Sequence, residues 1–265
     1  MEREQIRISV RNLVEFILRS GDIDNRRASL DTMEAMQAGS RLHRKIQKKM
    51  GSTYHAEVPF HIIIEEAHYE LGIWGRADGI IIEETVTIDE IKGVYLSLDL
   101  LEEPVKVHLA QAKCYAYIYG IQNDLQKINV QMTYGNLDTG DLKYFSYEYS
   151  MQQLQEWFSD LILKYKKWAD FQYEWRKKRQ ASIKELAFPF PHREVQKEIA
   201  AGVYRTIARK KNLFIQAPTG VGKTISTLYP AIKAVGEGLG DKIFYLTAKT
   251  VTANVAKETI GILCE

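Results

Sequence analysis

Apolar positions change their spacing several times along the chain, and each change marks an element. A run rich in Val, Leu, Phe and Ile follows Ser9, a suitable cap, and stops before Gly21, predicting a helix over about 10–19. Leu42, Ile46 and Met50 recur at i, i+4 and i+8, an apolar stripe on a second helix over about 33–50. Ile- and Val-rich segments follow at Glu57–Glu65, Tyr69–Trp74, Gly79–Glu83 and Val86–Ile91, separated by turn residues, and read as strands. A helix is expected near 105–119 and a strand near 127–134; Gly135–Asp141 then turns the chain into a last strand over 142–149. Ser150 and Gln153 match a capping box and open a long helix over about 151–180.

The segment Ala187-Phe-Pro-Phe-Pro-His192 bars that helix from continuing, because its two prolines cannot donate backbone N–H, and residues 186–191 read as a linker. The order α–α–β–β–β–β–α–β–β–α makes 1–185 a complete mixed domain. Over 192–265 the order becomes α–β–loop–α–β–α, the opening of a parallel sheet flanked by helices. The expected class is α/β throughout, with no internal repeat or low-complexity tract.

At 265 residues and 45% apolar, the chain suits one large or two ordinary domains with proper cores. Cys114 and Cys264 can build neither a disulfide framework nor a four-cysteine metal site. The start is charged and no apolar run reaches membrane-spanning length, so a cytoplasmic protein without a membrane partner is expected. The net charge of +2 hides an asymmetry. Residues 1–163 hold 17 Lys/Arg against 25 Asp/Glu, whereas 164–185 hold 8 against 3 and 186–265 hold 11 against 6. Nucleic acid would therefore have to use local patches. Two candidates are Arg41, Arg44, Lys45, Lys48 and Lys49 on one helix and the run Arg176–Arg179; a solvated helix face explains either equally well.

Ala217-Pro-Thr-Gly-Val-Gly-Lys-Thr224 is a phosphate-binding loop, with Ala217 where the usual pattern opens on Gly. The apolar run Asn212–Gln216 before it suits a buried parallel strand. Gly220 and Gly222 let the backbone N–H groups of Thr219–Thr224 approach phosphate oxygens, with Val221 between them. Lys223 would reach the β/γ-phosphates of ATP, and the Thr224 hydroxyl would meet its Mg2+, at the amino end of a helix. A nucleotide-hydrolysing core also needs an acidic motif for Mg2+ and water, so the chain is expected to be the amino-terminal piece of a larger ATPase.

The first domain carries its own chemistry. Asp78 closes the expected turn Gly75-Arg-Ala-Asp78, and Glu90 and Lys92 share one face of the strand that follows. Carboxylates from neighbouring strands can share a hard cation such as Mg2+, and a lysine beside it can orient or deprotonate an attacking water. Asp89 points to the opposite face unless the register slips by one. His43 lies close to the apolar side of its helix, where it is either structural or a further ligand. Gln111 and Tyr115 are one turn apart on a face shared with His108, whereas Tyr117 and Tyr119 read as core aromatics.

His43, Gly75-Arg-Ala-Asp78, Asp89-Glu-Ile-Lys92 and Gln111-Ala-Lys-Cys-Tyr115, in that order, resemble the RecB-like branch of the PD-(D/E)XK nucleases over residues 9–120. The resemblance implies a restriction-endonuclease-like mixed sheet, with Mg2+ or Mn2+ on His43, Asp78 and Glu90, catalysis by Lys92, and DNA contacts from Gln111 and Tyr115. Some relatives hold an iron–sulfur cluster on four cysteines; this segment lacks them, and none is expected.

From Phe190 onward the chain resembles the first, RecA-like lobe of superfamily 2 helicases of the XPD/DinG type. Pro191-His-Arg-Glu-Val-Gln196 matches the stretch in which a Gln, here Gln196, reads adenine. Leu246-Thr-Ala-Lys-Thr250 resembles a motif touching single-stranded DNA, which implicates Thr247 and Lys249; a strand end leading into a capped helix explains it equally well. Together these resemblances imply a DNA helicase with a fused nuclease, acting on DNA that is single-stranded or has single-stranded ends. Two alternatives are a non-catalytic DNA clamp on a helicase, and a P-loop ATPase of another class behind a regulatory domain.

Overall fold

In the computed structural model, residues 3–21, 32–191 and 193–264 are described. They divide into two compact units, Met1–Asp170 and Phe171–Glu265. The division falls inside a long helix rather than at the expected boundary of 185.

The first unit is a mixed α/β structure. Strand β1 (Glu4–Ser9) leads directly into helix α1 (Val10–Ile17), whose first turn is capped as expected, the Asn12 amide donating to Ser9 Oγ at 3.1 Å. Helix α2 (Thr32–Gln47) precedes strands β2 (Tyr54–Glu65), β3 (Tyr69–Ile81) and β4 (Thr87–Val94). Helix α3 (Lys106–Gln122), strands β5 (Lys127–Asn136) and β6 (Leu142–Ser150), and the first part of helix α4 (Met151–Lys184) complete it. The capping box at the head of α4 is present on both sides, Gln153 N to Ser150 Oγ at 3.2 Å and Ser150 N to Gln153 Oε1 at 3.0 Å.

Strand β1 went unpredicted. The charged start conceals an alternation in which Ile6 and Ile8 take turns with Gln5, Arg7 and Ser9, and Ile6 is only 1% exposed. The segments Tyr69–Trp74 and Gly79–Glu83 are not separate strands either; β3 runs unbroken through Gly75–Asp78. Pairing with β2 carries it, from Glu70↔Glu65 to Ile81↔Tyr54 with only the position of Glu57 and Asp78 unpaired, and overrides the weak strand propensity of Gly and Asp.

β2 occupies one edge of β3 along almost its whole length. The other edge is shared: β1 runs parallel to residues 69–74, and β4 pairs antiparallel only from Gly79↔Asp89 to Ile81↔Thr87. Beyond Gly79 the two strands part, and β4 continues alone against β5, parallel from Thr87↔Asn129 to Val94↔Asn136. β6 closes the far edge, antiparallel to β5. This fork between β3 and β4 positions the candidate site.

The core includes Ile73, Ile88, Ile91, Ile118, Ile128, Val130 and Met132, all fully buried. Each contributes roughly 1.5–3 kcal/mol through removal of its side chain from water. Leu42 and Ile46 of α2 pack on Ile91 and Leu137. Tyr117 stacks on Phe158 of α4 with centroids 4.5 Å apart, and Tyr119 meets Phe60 edge-on, in keeping with core roles.

Asp89 faces away from Glu90, as strand alternation requires. It is fully buried and accepts hydrogen bonds from Thr133 Oγ1 at 2.5 Å, Gln131 Nε2 at 3.2 Å and Tyr54 Oη at 3.0 Å. Burial raises its pKa against the pull of those three donors. Removing the acceptor leaves buried donors unpaired. Asp89→Ala is therefore expected to lower the unfolding free energy by about 2–4 kcal/mol, read from the urea unfolding midpoint.

The second unit begins within α4 and holds helices α5 (Glu194–Ala208), α6 (Lys223–Gly236) and α7 (Thr250–Cys264). The last turns of α4 pack on α6: a Cβ at Gly236 would lie 2.3 Å from Ile183 Cγ2, and Lys233 Nζ donates to the Lys184 carbonyl at 3.0 Å. Arg179 also holds Asp241, at 3.0 Å. These contacts account for residues 171–185 grouping with the second unit. The expected strands at Asn212–Gln216 and near 243–246 carry no ladder among the described residues. A strand exists only by pairing, and Phe214 (96% exposed) and Leu246 (88%) have no sheet neighbour to cover them.

Candidate active site and nucleotide loop

The fork in the sheet leaves the Ile91 amide without a strand partner, and Asp78 supplies one. Its Oδ2 accepts from Ile91 N at 2.8 Å, while Oδ1 lies 3.3 Å from His43 Nδ1. Directly across β2, the register passes from Ala56↔Gly79 to Val58↔Ala77 and skips Glu57, whose φ is +56°. A residue with a Cβ pays roughly 1–2 kcal/mol in that left-handed region. His43, Glu57 and Asp78 offer ligand atoms that all lie within 4.8 Å of one another.

Gln47, one turn after His43 on α2, holds this corner together. Its Nε2 donates to Glu57 Oε1 at 3.1 Å and to the Asp78 carbonyl at 3.0 Å. The other oxygen of Glu57 is held by Arg76 at 2.7 Å. Neither Glu57 nor Gln47 stood out in the sequence. Glu57 belongs to no motif, and only strand register brings it opposite Asp78.

Glu90 and Lys92 share a face of β4. Glu90 Oε1 accepts from Lys92 Nζ at 2.6 Å, and Lys92 also reaches Gln111 Oε1 at 3.4 Å. The Glu90 side chain is 1% exposed, and its Oε2 has no hydrogen-bond partner. Burial pushes the carboxyl up to about 8, with Asp78 adding to the rise and Lys92 opposing it. An orphaned, buried carboxylate oxygen is costly, and a cation would satisfy it. His43, Glu57 and Asp78 converge as a donor set that fits a divalent metal; Glu90, an expected ligand, lies outside that group and feels Asp78 through its charge.

A cavity of about 940 Å³ opens over this constellation, lined among others by His43, Glu57, Asp78, Lys92, Gln111 and Tyr115. Tyr115 stacks on Phe60, and its hydroxyl accepts from the Arg76 amide at 3.3 Å. Gly75 makes that approach possible, since a Cβ there would lie 2.5 Å from the Tyr115 ring. Gln111 Nε2 lies 3.5 Å from the same hydroxyl. Of the expected site residues of the first unit, His43, Asp78, Lys92, Gln111 and Tyr115 line one cavity; Glu90 does not line it and is tied to it through Lys92.

In the second unit, Gly220 and Gly222 take φ of +87° and +81°, which L side chains rarely adopt, and α6 starts at Lys223. Gln196 clamps the loop. Its Oε1 accepts from the Arg193 amide at 3.1 Å, and its Nε2 donates to the Val221 carbonyl at 3.1 Å. Lys223 Nζ folds back on the loop, donating to the Ala217 and Pro218 carbonyls at 2.9 and 2.7 Å. Thr219 is exposed. Thr224 offers its carbonyl to Thr227 Oγ1. Thr247 donates to the Lys249 carbonyl at 3.1 Å, just ahead of α7.

Residues 193–260 match the family described as "DEAD/DEAH box helicase". A curated relative, "Probable ATP-dependent helicase MJ0942" of Methanocaldococcus jannaschii, is 51% identical over 51 residues. That match spans 19% of this chain and 8% of the relative's length. Among solved structures, SSO0001 is similar at 20% identity and a TM-score of 0.39, over 62% of this chain and 78% of that one. An alkaline exonuclease (LHK-Exo) from Laribacter hongkongensis is similar at 14% identity and a TM-score of 0.38, over 65% and 93%. The match to a helicase family thus lies within the second unit. Among the described residues no helix is long and apolar enough to cross a membrane.

His108, which also lines the cavity, gives this corner a pH signature. Burial, then the nearby Lys92 and Arg11, lower its pKa from 6.5 to about 4, while Glu15 opposes them. The unfolded chain therefore binds a proton that the folded chain refuses between those values, so stability rises with pH across the window. Stability is expected to fall as pH drops from about 6.5 towards 4, and His108→Gln should flatten that slope in urea unfolding series.

Proposed function

We propose that this chain belongs to an ATP-dependent DNA helicase with a fused metal-dependent nuclease. The nuclease module is assigned to 1–185, a linker to 186–191 and the first part of the ATP-binding lobe to 192–265. The nuclease reading rests on Glu90, whose buried, unpaired oxygen lies on a carboxyl bonded to Lys92 and coupled to Asp78. A purely structural carboxylate would have both oxygens satisfied, as Asp89 does on the opposite face.

His43, Glu57 and Asp78, with Glu90 beside them, would hold a divalent cation. That ion would neutralise charge on the scissile phosphate and acidify a water. One imidazole among carboxylates suits Mn2+ better than Mg2+. Lys92 has three N–H donors, of which Glu90 and Gln111 take two. The third is left to orient the attacking water or, when Lys92 is neutral, to be replaced by a lone pair that takes the water's proton. The water oxygen bonds to phosphorus as one P–O ester bond breaks, and the departing oxygen keeps that bond's electron pair. Gln111 and Tyr115, on the α3 face of the cavity, would contact the DNA strand.

In the second unit, Thr219–Thr224 would cradle the ATP phosphates and Gln196 would read adenine while bracing the loop. Lys223 would exchange two neutral carbonyl acceptors for phosphate oxygens, a gain because charge-assisted bonds are the stronger kind. Thr247 and Lys249 would meet single-stranded DNA.

The test is cleavage of a labelled single-stranded oligonucleotide by the full chain, without ATP, in Mn2+ or Mg2+. Wild type is expected to cut, with Mn2+ the better ion, and Glu90→Ala and Lys92→Ala to lose on the order of a hundredfold or more in rate while remaining folded. Binding without cutting would instead make the first unit a non-catalytic clamp. Lys223→Ala is expected to weaken binding of a fluorescent ATP analogue at least about tenfold and to leave metal-dependent cleavage unchanged.

A further inference from the structure

Helix α3 brings a third side chain to the cavity besides Gln111 and Tyr115. His108 lies one turn before Gln111 on the same face, and its ring is held by a relay running from the backbone. The Val105 amide donates to Tyr134 Oη at 3.0 Å, and Tyr134 Oη lies 3.1 Å from His108 Nδ1. Tyr134 is fully buried on β5, in register with Lys92 of β4.

The relay sets the direction of each bond. Tyr134 Oη already accepts from Val105, so its own hydrogen is the one free to reach His108, and burial keeps that phenol protonated by raising its pKa. His108 Nδ1 is the acceptor that this buried hydrogen has among the described residues, and with Nδ1 accepting, the neutral ring carries its proton on Nε2. No acceptor among the described residues is paired with Nε2. Burial above all, then Lys92 and Arg11, disfavours a positive charge on the ring, against Glu15, so it presents a donor without becoming a cation.

We propose that His108 contacts substrate, donating Nε2–H to a non-bridging phosphate oxygen of the nucleic-acid strand in the cavity, with Tyr134 as the positioning residue that fixes its tautomer. This rests on the reading of the cavity as a phosphodiester-cleaving site. The role suits a neutral imidazole. Arg11, Arg76 and Lys92 already line the cavity with positive charge, and each has a carboxylate partner in Glu15, Glu57 and Glu90. A neutral donor adds a directional bond to phosphate without competing for those carboxylates, and its strength does not depend on taking up a proton from solvent.

The test uses the full chain without ATP and reads tautomer, binding and kinetics separately. In 15N-histidine spectra, His108 is expected to be protonated on Nε2 and bare on Nδ1 between about pH 5.5 and 8. Its Nε2 signal should shift on adding an oligothymidylate of about eight nucleotides in EDTA. His108→Ala should weaken that metal-free binding about five- to tenfold and raise KM more than it lowers kcat. His108→Gln, which keeps an N–H donor, should recover part of the affinity. Tyr134→Phe should mix the tautomers and weaken binding by a smaller factor.

A proton on Nδ1, an unmoved Nε2 signal, or unchanged oligonucleotide affinity in folded His108→Ala would each overturn the proposal. Cleavage that survives with unaltered KM in that variant would do the same while leaving the nuclease reading intact. A wild-type protein that binds and shifts His108 but never cuts would support the contact and remove the nuclease reading instead.

Discussion

One hydrogen bond, from the Ile91 amide to Asp78 Oδ2, stands where the sheet divides, and the candidate site is built around it. β3 must leave β4 after Gly79 if its first half is to pair with β1, and β4 must go on with β5. A buried backbone N–H at such a parting is expensive unless something accepts from it. Asp78 does so with one oxygen and turns the other towards His43. The same carboxylate thus closes a defect in the sheet and faces the donor set.

Around that point the electrostatics are uneven in an informative way. Asp89 and Glu90 are adjacent and both are buried, but strand alternation gives them opposite surroundings. Asp89 has three donors and a structural task. Glu90 has one lysine and a vacant oxygen, and burial lifts its pKa to about 8. Strain accompanies this imbalance at Glu57, whose left-handed backbone leaves a gap in the β2–β3 ladder opposite Asp78. Glu90 and Glu57 lie on the two strands that flank β3, and unmet hydrogen bonding or backbone strain of this kind is found most often at functional sites.

The second unit shows how the loop Ala217–Thr224 holds its shape through its own neighbours. Gln196 joins the head of α5 to Val221, while Lys223 rests on carbonyls of the loop it serves. Positive φ at Gly220 and Gly222 follows from the loop's path, and a Cβ at Gly222 would also meet Gln196 Nε2 at 2.5 Å. The apolar stretches on either side are exposed for lack of sheet partners, although their composition is that of buried strands.

Short-range physics made much of this legible in the sequence. The Ser9 and Ser150 caps, the apolar stripe of α2, the alternation that separates Asp89 from Glu90 and the turn at 135–141 all depend on residues a few positions apart. The loop at 217–224 is equally local, its glycines and lysine being set by the path of eight residues. What only the tertiary structure decided depends on which segments meet. It joined two predicted strands into β3, recruited a charged start as β1 and opened the fork. It also brought Glu57 and Gln47 to Asp78, and aimed His108 through Tyr134 from a strand 26 residues away. No local pattern encodes these meetings, because strand register and helix docking are settled by burial summed over the whole sheet.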